Sequence, residues 1–249
     1  MAGRRTGTAA EARIALETEA QAGRGQPGAA WRPDRSTLQG QIYGKLKEAL
    51  MIGTFKPGQP ITLRGLATAV GTSPIPVREA VRHLLAERAL EALPNGSVRV
   101  PLLTRRRFAD LTQVRLLVEG YATELGATRL TPAELRRAET AFAGMVEALA
   151  ARDNRRFLTH NQRFRFAIYA GARSDTLMPI IESLWLQVGP YFNFVFDGAQ
   201  MPDSMEADGN ALAAIKRQDA ATARHWIETD IRETAAHLMS LLPEDGDQE

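Results

Sequence analysis

Arg78 and Arg82 stand four residues apart in the run Gly71-Thr72-Ser73-Pro74-Ile75-Pro76-Val77-Arg78-Glu79-Ala80-Val81-Arg82. A guanidinium presents a planar fork of donors that can grip a phosphate or read the O6 and N7 edge of guanine. Four-residue spacing on a helix sets two such forks on one face. The alternative is a solvated face on which Arg78 pairs with Glu79 or Glu87. Charge along the chain bears on the choice. Residues 36–103 hold eight Lys and Arg against four Glu, whereas residues 104–249 hold seventeen against twenty-one acidic groups. A basic module joined to an acidic one suggests a polyanion partner for the first. Catalytic signatures are missing: there is no nucleophile elbow, phosphate-binding loop or dinucleotide fingerprint. His83, His160, His225 and His237 do not have the spacing of metal ligands. Asp208 and Asp230 are the carboxylates an enzyme in the acidic region would use.

The arginines need a rigid platform, and the surrounding residues supply one. Leu38, Ile42, Leu46, Ala49 and Leu50 recur at helical spacing, and Gly53 and Pro57-Gly58 end that helix. A second helix is expected over Leu63–Val70, stopped by Gly71. Thr72 or Ser73 caps a third. Proline costs little in a first turn, where the N–H groups have no intrahelical acceptor, so Pro74 and Pro76 stiffen its start. The third helix is expected to continue to about Arg88, with Val77, Val81, Leu84 and Leu85 buried and Arg78 and Arg82 on the flank. Leu93 to Val100 reads as two short strands around an Asn95-Gly96 turn. Three helices and a hairpin are the pattern of a winged helix-turn-helix. Residues 1–35, rich in Ala, Gly and Arg, are expected to form a disordered basic tail.

The run Ile42-Tyr43, Leu46, Ile52-Gly53, Pro57-Gly58, Leu66-Ala67 and Pro76-Val77-Arg78-Glu79-Ala80-Val81 resembles the GntR family of bacterial transcription regulators. One departure is Pro74, where the family commonly carries Arg after the serine. The resemblance implies that the third helix enters the DNA major groove and the hairpin tip touches the minor groove. It makes Arg64, Arg78 and Arg82 candidate DNA contacts. Thr72 and Ser73, at a helix N-terminus, become candidates to hold a phosphate. At the wing, Asn95 and Gly96 are candidates, the glycine permitting close approach.

From Thr104 onward the signals are helical. Thr104, Asp153 and Asp219 can cap helices, and Thr131-Pro132-Ala133-Glu134 is a capping box with proline at the first helical position. Six or seven helices over residues 104–242, with an acidic tail at 243–249, suggest an antiparallel bundle. The fold class is mainly α: an N-terminal winged helix-turn-helix over 36–103 with a small β-hairpin wing, then an all-α bundle.

This helical order resembles the FCD effector-binding domain of the FadR subfamily, on Arg115 with Glu119, Asn161-x-x-Phe164, Ile168-Tyr169-Ala170, Ala214-Ile215, Asp219 and Ala223. Many FCD domains hold a divalent metal through one Asp and three His, the first pair in "D-x-x-F-H". Here the corresponding positions are Asn161 and Arg165, and the later histidines align with Asp208 and Asp230. Asparagine is a weak ligand and arginine a fixed cation, so no metal and no cofactor are expected. Two alternatives remain for Arg165. With Asn161 and Arg115 it binds a small organic acid, or it pairs with Asp208 or Asp230 and holds helices together. Trp185, Tyr191, Phe192, Phe194 and Phe196 either line such a pocket or pack the core.

The expected function is a transcriptional regulator that is not an enzyme, a repressor by family habit. It is expected to bind a palindromic DNA operator as a homodimer and respond to a small carboxylate effector. The alternatives are a helical-bundle enzyme and an interaction protein with a vestigial DNA-binding module. No cysteine and no apolar run of the ~18 residues a span needs are present. With no apolar leader segment, the protein is expected to be cytoplasmic, with no membrane partner.

Overall fold

The computed structural model describes residues 38–196 and 204–243. The expected basic tail, residues 197–203 and the acidic residues after 243 lie outside the described residues, as does the side chain of Phe196. The chain divides into two compact units between Leu102 and Leu103.

In the first unit, helix α1 (Leu38–Met51) buries Ile42, Leu46, Ala49, Leu50 and Met51. Gly53 and Gly58 follow with φ of 71° and 72°, left-handed values that an L side chain adopts only with strain. Strand β1 (Pro60–Ile61) leads into α2 (Leu63–Ala69), whose first turn is capped by Thr62 accepting from Gly65 N at 3.0 Å. Gly71, at φ 68°, turns the chain into α3 (Pro74–Ala86). Val77, Ala80, Val81 and Leu84 of α3 are buried. Strands β2 (Glu91–Ala92) and β3 (Val98–Arg99) complete a three-stranded antiparallel sheet in the order β1-β3-β2.

Four details differ from expectation. The wing is not a lone hairpin, because β1 pairs with β3 through Pro60↔Arg99 and Ile61↔Val98. Two residues beginning with proline are too short to show alternation, and proline is tolerated on this edge. The first hairpin strand is Glu91–Ala92 rather than Leu93 onward, since Leu93 N donates to Ser97 O at 2.9 Å and so closes the turn. Helix α3 ends at Ala86, and Arg88 takes φ 58° in the turn that follows. Ala80, not Leu85, completes the buried stripe, and Leu85 is half-buried.

The second unit contains six described α-helices and one 3₁₀ helix. Helix α4 (Arg105–Ala127) is capped by Thr104, and α5 (Pro132–Ala150) by the Thr131–Glu134 box with both reciprocal bonds present. Helix α6 (Asn154–Ala170) starts at Asp153, whose carboxylate accepts from Arg156 N at 2.9 Å. Helix α7 (Leu177–Val188) tightens into the 3₁₀ helix Gly189–Phe196, where Pro190 lacks the N–H that would continue an α-helix. Helices α8 (Ser204–Lys216) and α9 (Ala220–Leu241) follow, the latter capped by Asp219. Phe108, Met145, Phe164, Ile168, Ile181 and Ile227 are fully buried at its core. At Gly126 a Cβ would lie 2.3 Å from the Ile168 carbonyl oxygen, so α4 and α6 approach backbone to backbone there. Among the described residues no helix is long and apolar enough to cross a membrane.

Candidate functional site

The first candidate surface is on α3. The buried stripe of Val77, Ala80, Val81 and Leu84 fixes the helix against the unit's core. Arg78 and Arg82 are thereby held in solvent. Glu79 and Glu87, the two carboxylates able to neutralise Arg78, are engaged elsewhere. Glu79 pairs with Arg82 at 2.7 Å, and Glu87 accepts the Tyr43 hydroxyl at 2.6 Å. Arg78 and Arg64 are exposed and have no ion pair among the described residues. Two uncompensated guanidinium groups on a short unit are an electrostatic footprint for phosphate.

Ser73 takes the extended backbone of an N-cap, but its side chain makes no capping bond. Pro74 and Pro76 carry no N–H, so Ile75 holds the one backbone donor among the first three helical positions. At the wing, Asn95 Oδ1 accepts from Ser97 N at 3.1 Å and from Ser97 Oγ at 2.6 Å, which builds the turn. Gly96, at φ 76°, faces open space, where a ligand backbone can come close.

The second candidate is a cavity of about 30 Å³ inside the helical unit. Arg115, Asn161, Arg165, Asp208 and Asp230 all line it, so helices α4, α6, α8 and α9 bring all five expected residues together. Arg165 is 2% exposed. Its Nη2 lies 2.8 Å from Asp208 Oδ1 and also donates to Asp230 Oδ2. The Asp208 contact is a charge contact without hydrogen-bond alignment. Arg165 Nη1 and Asn161 Oδ1 are buried with no hydrogen-bond partner among the described residues.

The electrostatics follow from burial. Loss of water pushes the Asp208 carboxyl up to about 7 against the pull of Arg165, and Asp230 adds to the rise. Burial also raises Asp230, opposed by Arg165 and Arg115. Burial disfavours the charge on Arg165, but Asp208 and Asp230 outweigh it and hold the proton more firmly than usual. Such a donor set does not suit a divalent metal, because a fixed cation stands between the two carboxylates that would ligate it. Both expected roles of Arg165 are compatible with this arrangement: it does bridge Asp208 and Asp230, and Nη1 remains available to a further acceptor.

Glu119, whose sequence signal is only its spacing from Arg115, organises the cavity wall. It is fully buried and accepts from Arg115 Nε at 2.7 Å, Tyr169 hydroxyl at 2.6 Å and Trp185 Nε1 at 3.0 Å. Arg115 is thus already paired, with its guanidinium 5.8 Å from the Trp185 ring centre and 5.6 Å from that of Phe192. The four-residue spacing of Arg115 and Glu119 was the available signal. Trp185 and Phe192 line the cavity. Tyr191 instead packs on Phe108, with its hydroxyl accepting from Leu103 N, and Phe194 packs on Tyr191.

Residues 38–100 match the family described as bacterial regulatory proteins, gntR family, and residues 110–233 match the FCD domain. The chain is 29% identical over 201 residues to the HTH-type transcriptional regulator McbR of Escherichia coli (strain K12), covering 80% of this chain and 91% of that one. It is 24% identical over 215 residues to a probable D-xylose utilization operon transcriptional repressor of Paenarthrobacter nicotinovorans, covering 86% and 93%. Among solved structures, E. coli McbR/YncC superposes with a TM-score of 0.77 at 28% identity, over 82% of this chain and 98% of that one.

Proposed function

The chain belongs to the gntR family of bacterial regulatory proteins and is a transcriptional regulator with an FCD domain, and from that premise we propose that it represses transcription from a palindromic DNA operator, which it binds as a homodimer and releases on binding a small organic acid. The observation that carries the DNA-binding half is Arg78, exposed on α3 with both nearby carboxylates committed to other groups. In this reading Arg78 reads bases or grips phosphate, Arg82 exchanges Glu79 for phosphate, and Arg64, Asn95 and Gly96 position the duplex.

The homodimer reading is supported by α4. Val114, Leu117 and Tyr121 are 37%, 65% and 51% exposed, and with half-buried Val118 and Leu125 they form one apolar stripe at three- and four-residue spacing. A stripe along one helix can pack on its own copy about a two-fold axis, the symmetry a palindrome demands.

The effector reading rests on the Arg165 cluster. At about 30 Å³ the cavity holds a water or two, so an effector has to open it. A carboxylate would take the Nη1 donor of Arg165 and displace Asp208, which accepts a proton more readily than an ordinary aspartate. Asp208 lies on α8 and Asp230 on α9, so the exchange loosens two helices at once. The effector shifts DNA affinity by the difference in its affinity for the two packings. No metal enters this scheme, and the setting is the cytoplasm.

The test is selection of genomic DNA fragments by the purified protein beside an Arg78→Ala/Arg82→Ala variant. A short palindrome enriched by the parent and lost in the variant supports the proposal. No enrichment at low salt, where phosphate contacts are strongest, with candidate acids both present and absent, overturns it.

A further inference from the structure

A second recess lies on helices α5 and α6 and differs from the Arg165 cavity in its lining and size. It is a groove of about 600 Å³, within the range of small-ligand sites, whereas the inner cavity holds about 30 Å³. Small residues keep its floor low: Ala141 on α5, and Ala167 and Ala170 on α6. Phe166 supplies an aromatic surface.

The charge in this groove is one-signed. Arg136 and Arg137 reach it from α5 and Arg163 from α6, and among the described residues no carboxylate lines it. The acidic side chains of α5 are already committed. Glu134 pairs with Arg173 at 2.6 Å, Glu139 with Lys216 at 2.6 Å, and Glu147 with Arg156 at 2.8 Å. Helix α6 has no Asp or Glu. None of the three groove arginines has an ion pair among the described residues. Three guanidinium groups around an apolar floor are complementary to an anion with an apolar body.

His160 adds a polar group at the same place. Its Nδ1 is buried with no hydrogen-bond partner among the described residues, and its ring rests on Gly144, where a Cβ would come within 2.4 Å. Burial, then the charges of Arg163 and Arg156, hold its imidazole below the usual histidine range. The ring therefore stays neutral at pH 7 and can donate or accept a hydrogen bond.

We infer that the α5–α6 groove binds a small organic anion with an apolar body, its anionic oxygens held by Arg136, Arg137 and Arg163 and its body lying on Phe166. This site is separate from the Arg165 cavity, although one aromatic contact links them. Phe166 packs edge-on against Trp185 at 5.3 Å between ring centres, and Trp185 lines the inner cavity. An occupant of the groove thus presses on a ring that in turn touches the wall of the inner cavity.

The probe is 8-anilinonaphthalene-1-sulfonate, an aromatic sulfonate whose fluorescence rises in apolar surroundings, titrated into the full chain at 0.15 M salt. Two variants divide the contributions. Arg136→Gln/Arg163→Gln removes charge from exposed positions and leaves the floor intact. Ala167→Trp fills the floor and leaves the charge intact. Circular dichroism and a cooperative melt establish that each is folded. The expected result is one saturable site in the parent and at least tenfold weaker binding in both variants. Unchanged binding in both overturns the inference. So does weakening in the charge variant alone, since this means diffuse attraction to a basic surface, and so does weakening in the tryptophan variant alone.

Discussion

Replacing Asp208 by asparagine removes one ionisable group from the Arg165 cluster while keeping its shape. In the folded protein burial raises the Asp208 carboxyl to about 7, from a reference value of 3.8. Between those values the folded state holds a proton that the unfolded chain releases. Stability from this group is therefore fully present below about pH 4 and is lost as pH rises to about 7. At about 1.4 kcal/mol per unit, a rise of about three units corresponds to ~4 kcal/mol. Asparagine cannot ionise, so Asp208→Asn should gain about that much relative to the parent between pH 4 and pH 8. The assay is urea denaturation of both proteins at intervals of one pH unit, followed by tryptophan fluorescence, with Trp185 at the cavity wall. Differences between the two profiles cancel the titration of every group the substitution leaves alone. Parallel profiles, or a parent that gains stability relative to the variant as pH rises, would refute the assignment of a protonatable aspartate at this position.

Other substitutions probe the remaining parts. Glu119→Gln leaves the buried Arg115 without its carboxylate and should lower stability by about 3–5 kcal/mol in a denaturant melt. Gly126→Ala drives a methyl group into the Ile168 carbonyl and should cost ~2 kcal/mol or more, read as a lower melting temperature. Leu117→Glu places a charge on an exposed stripe, so each chain should stay folded while sedimentation shows a shift from dimer to monomer. Arg78→Ala should weaken operator binding by about 1–3 kcal/mol in an anisotropy titration, with relaxed sequence preference if the contact is to a base.

Helix boundaries were the most legible feature of the sequence, because their signals are local. Thr104, Thr131, Asp153 and Asp219 each cap the helix expected of them through a bond to a backbone N–H. Pro74 and Pro76 mark the start of α3 for the same reason. Strand β1 was not legible, because its pairing with β3 is made by residues some forty positions away and leaves no alternation in Pro60–Ile61. The exchange of Leu85 for Ala80 in the buried stripe reflects how closely α3 is packed, which periodicity alone does not report. The five cavity residues were named from resemblance to the FCD domain, and the fold does converge them on one space. That space's small size, and the binding of three donors by Glu119, depend on side-chain packing that the pattern of residues does not encode. The arginines of the α5–α6 groove are not legible in the sequence, because their meaning comes from carboxylates that are paired elsewhere.

The most direct test of the regulator reading is the stoichiometry and symmetry of its DNA complex. The palindrome recovered by selection would be titrated in solution at 0.15 M salt, alongside the same duplex with one half-site scrambled. Two chains per duplex, a loss of at least tenfold in affinity on scrambling, and abolition by Arg78→Ala/Arg82→Ala are the expected results. Equal affinity for the intact and scrambled duplexes, unchanged by the arginine substitutions, would contradict a homodimer that reads an operator through α3.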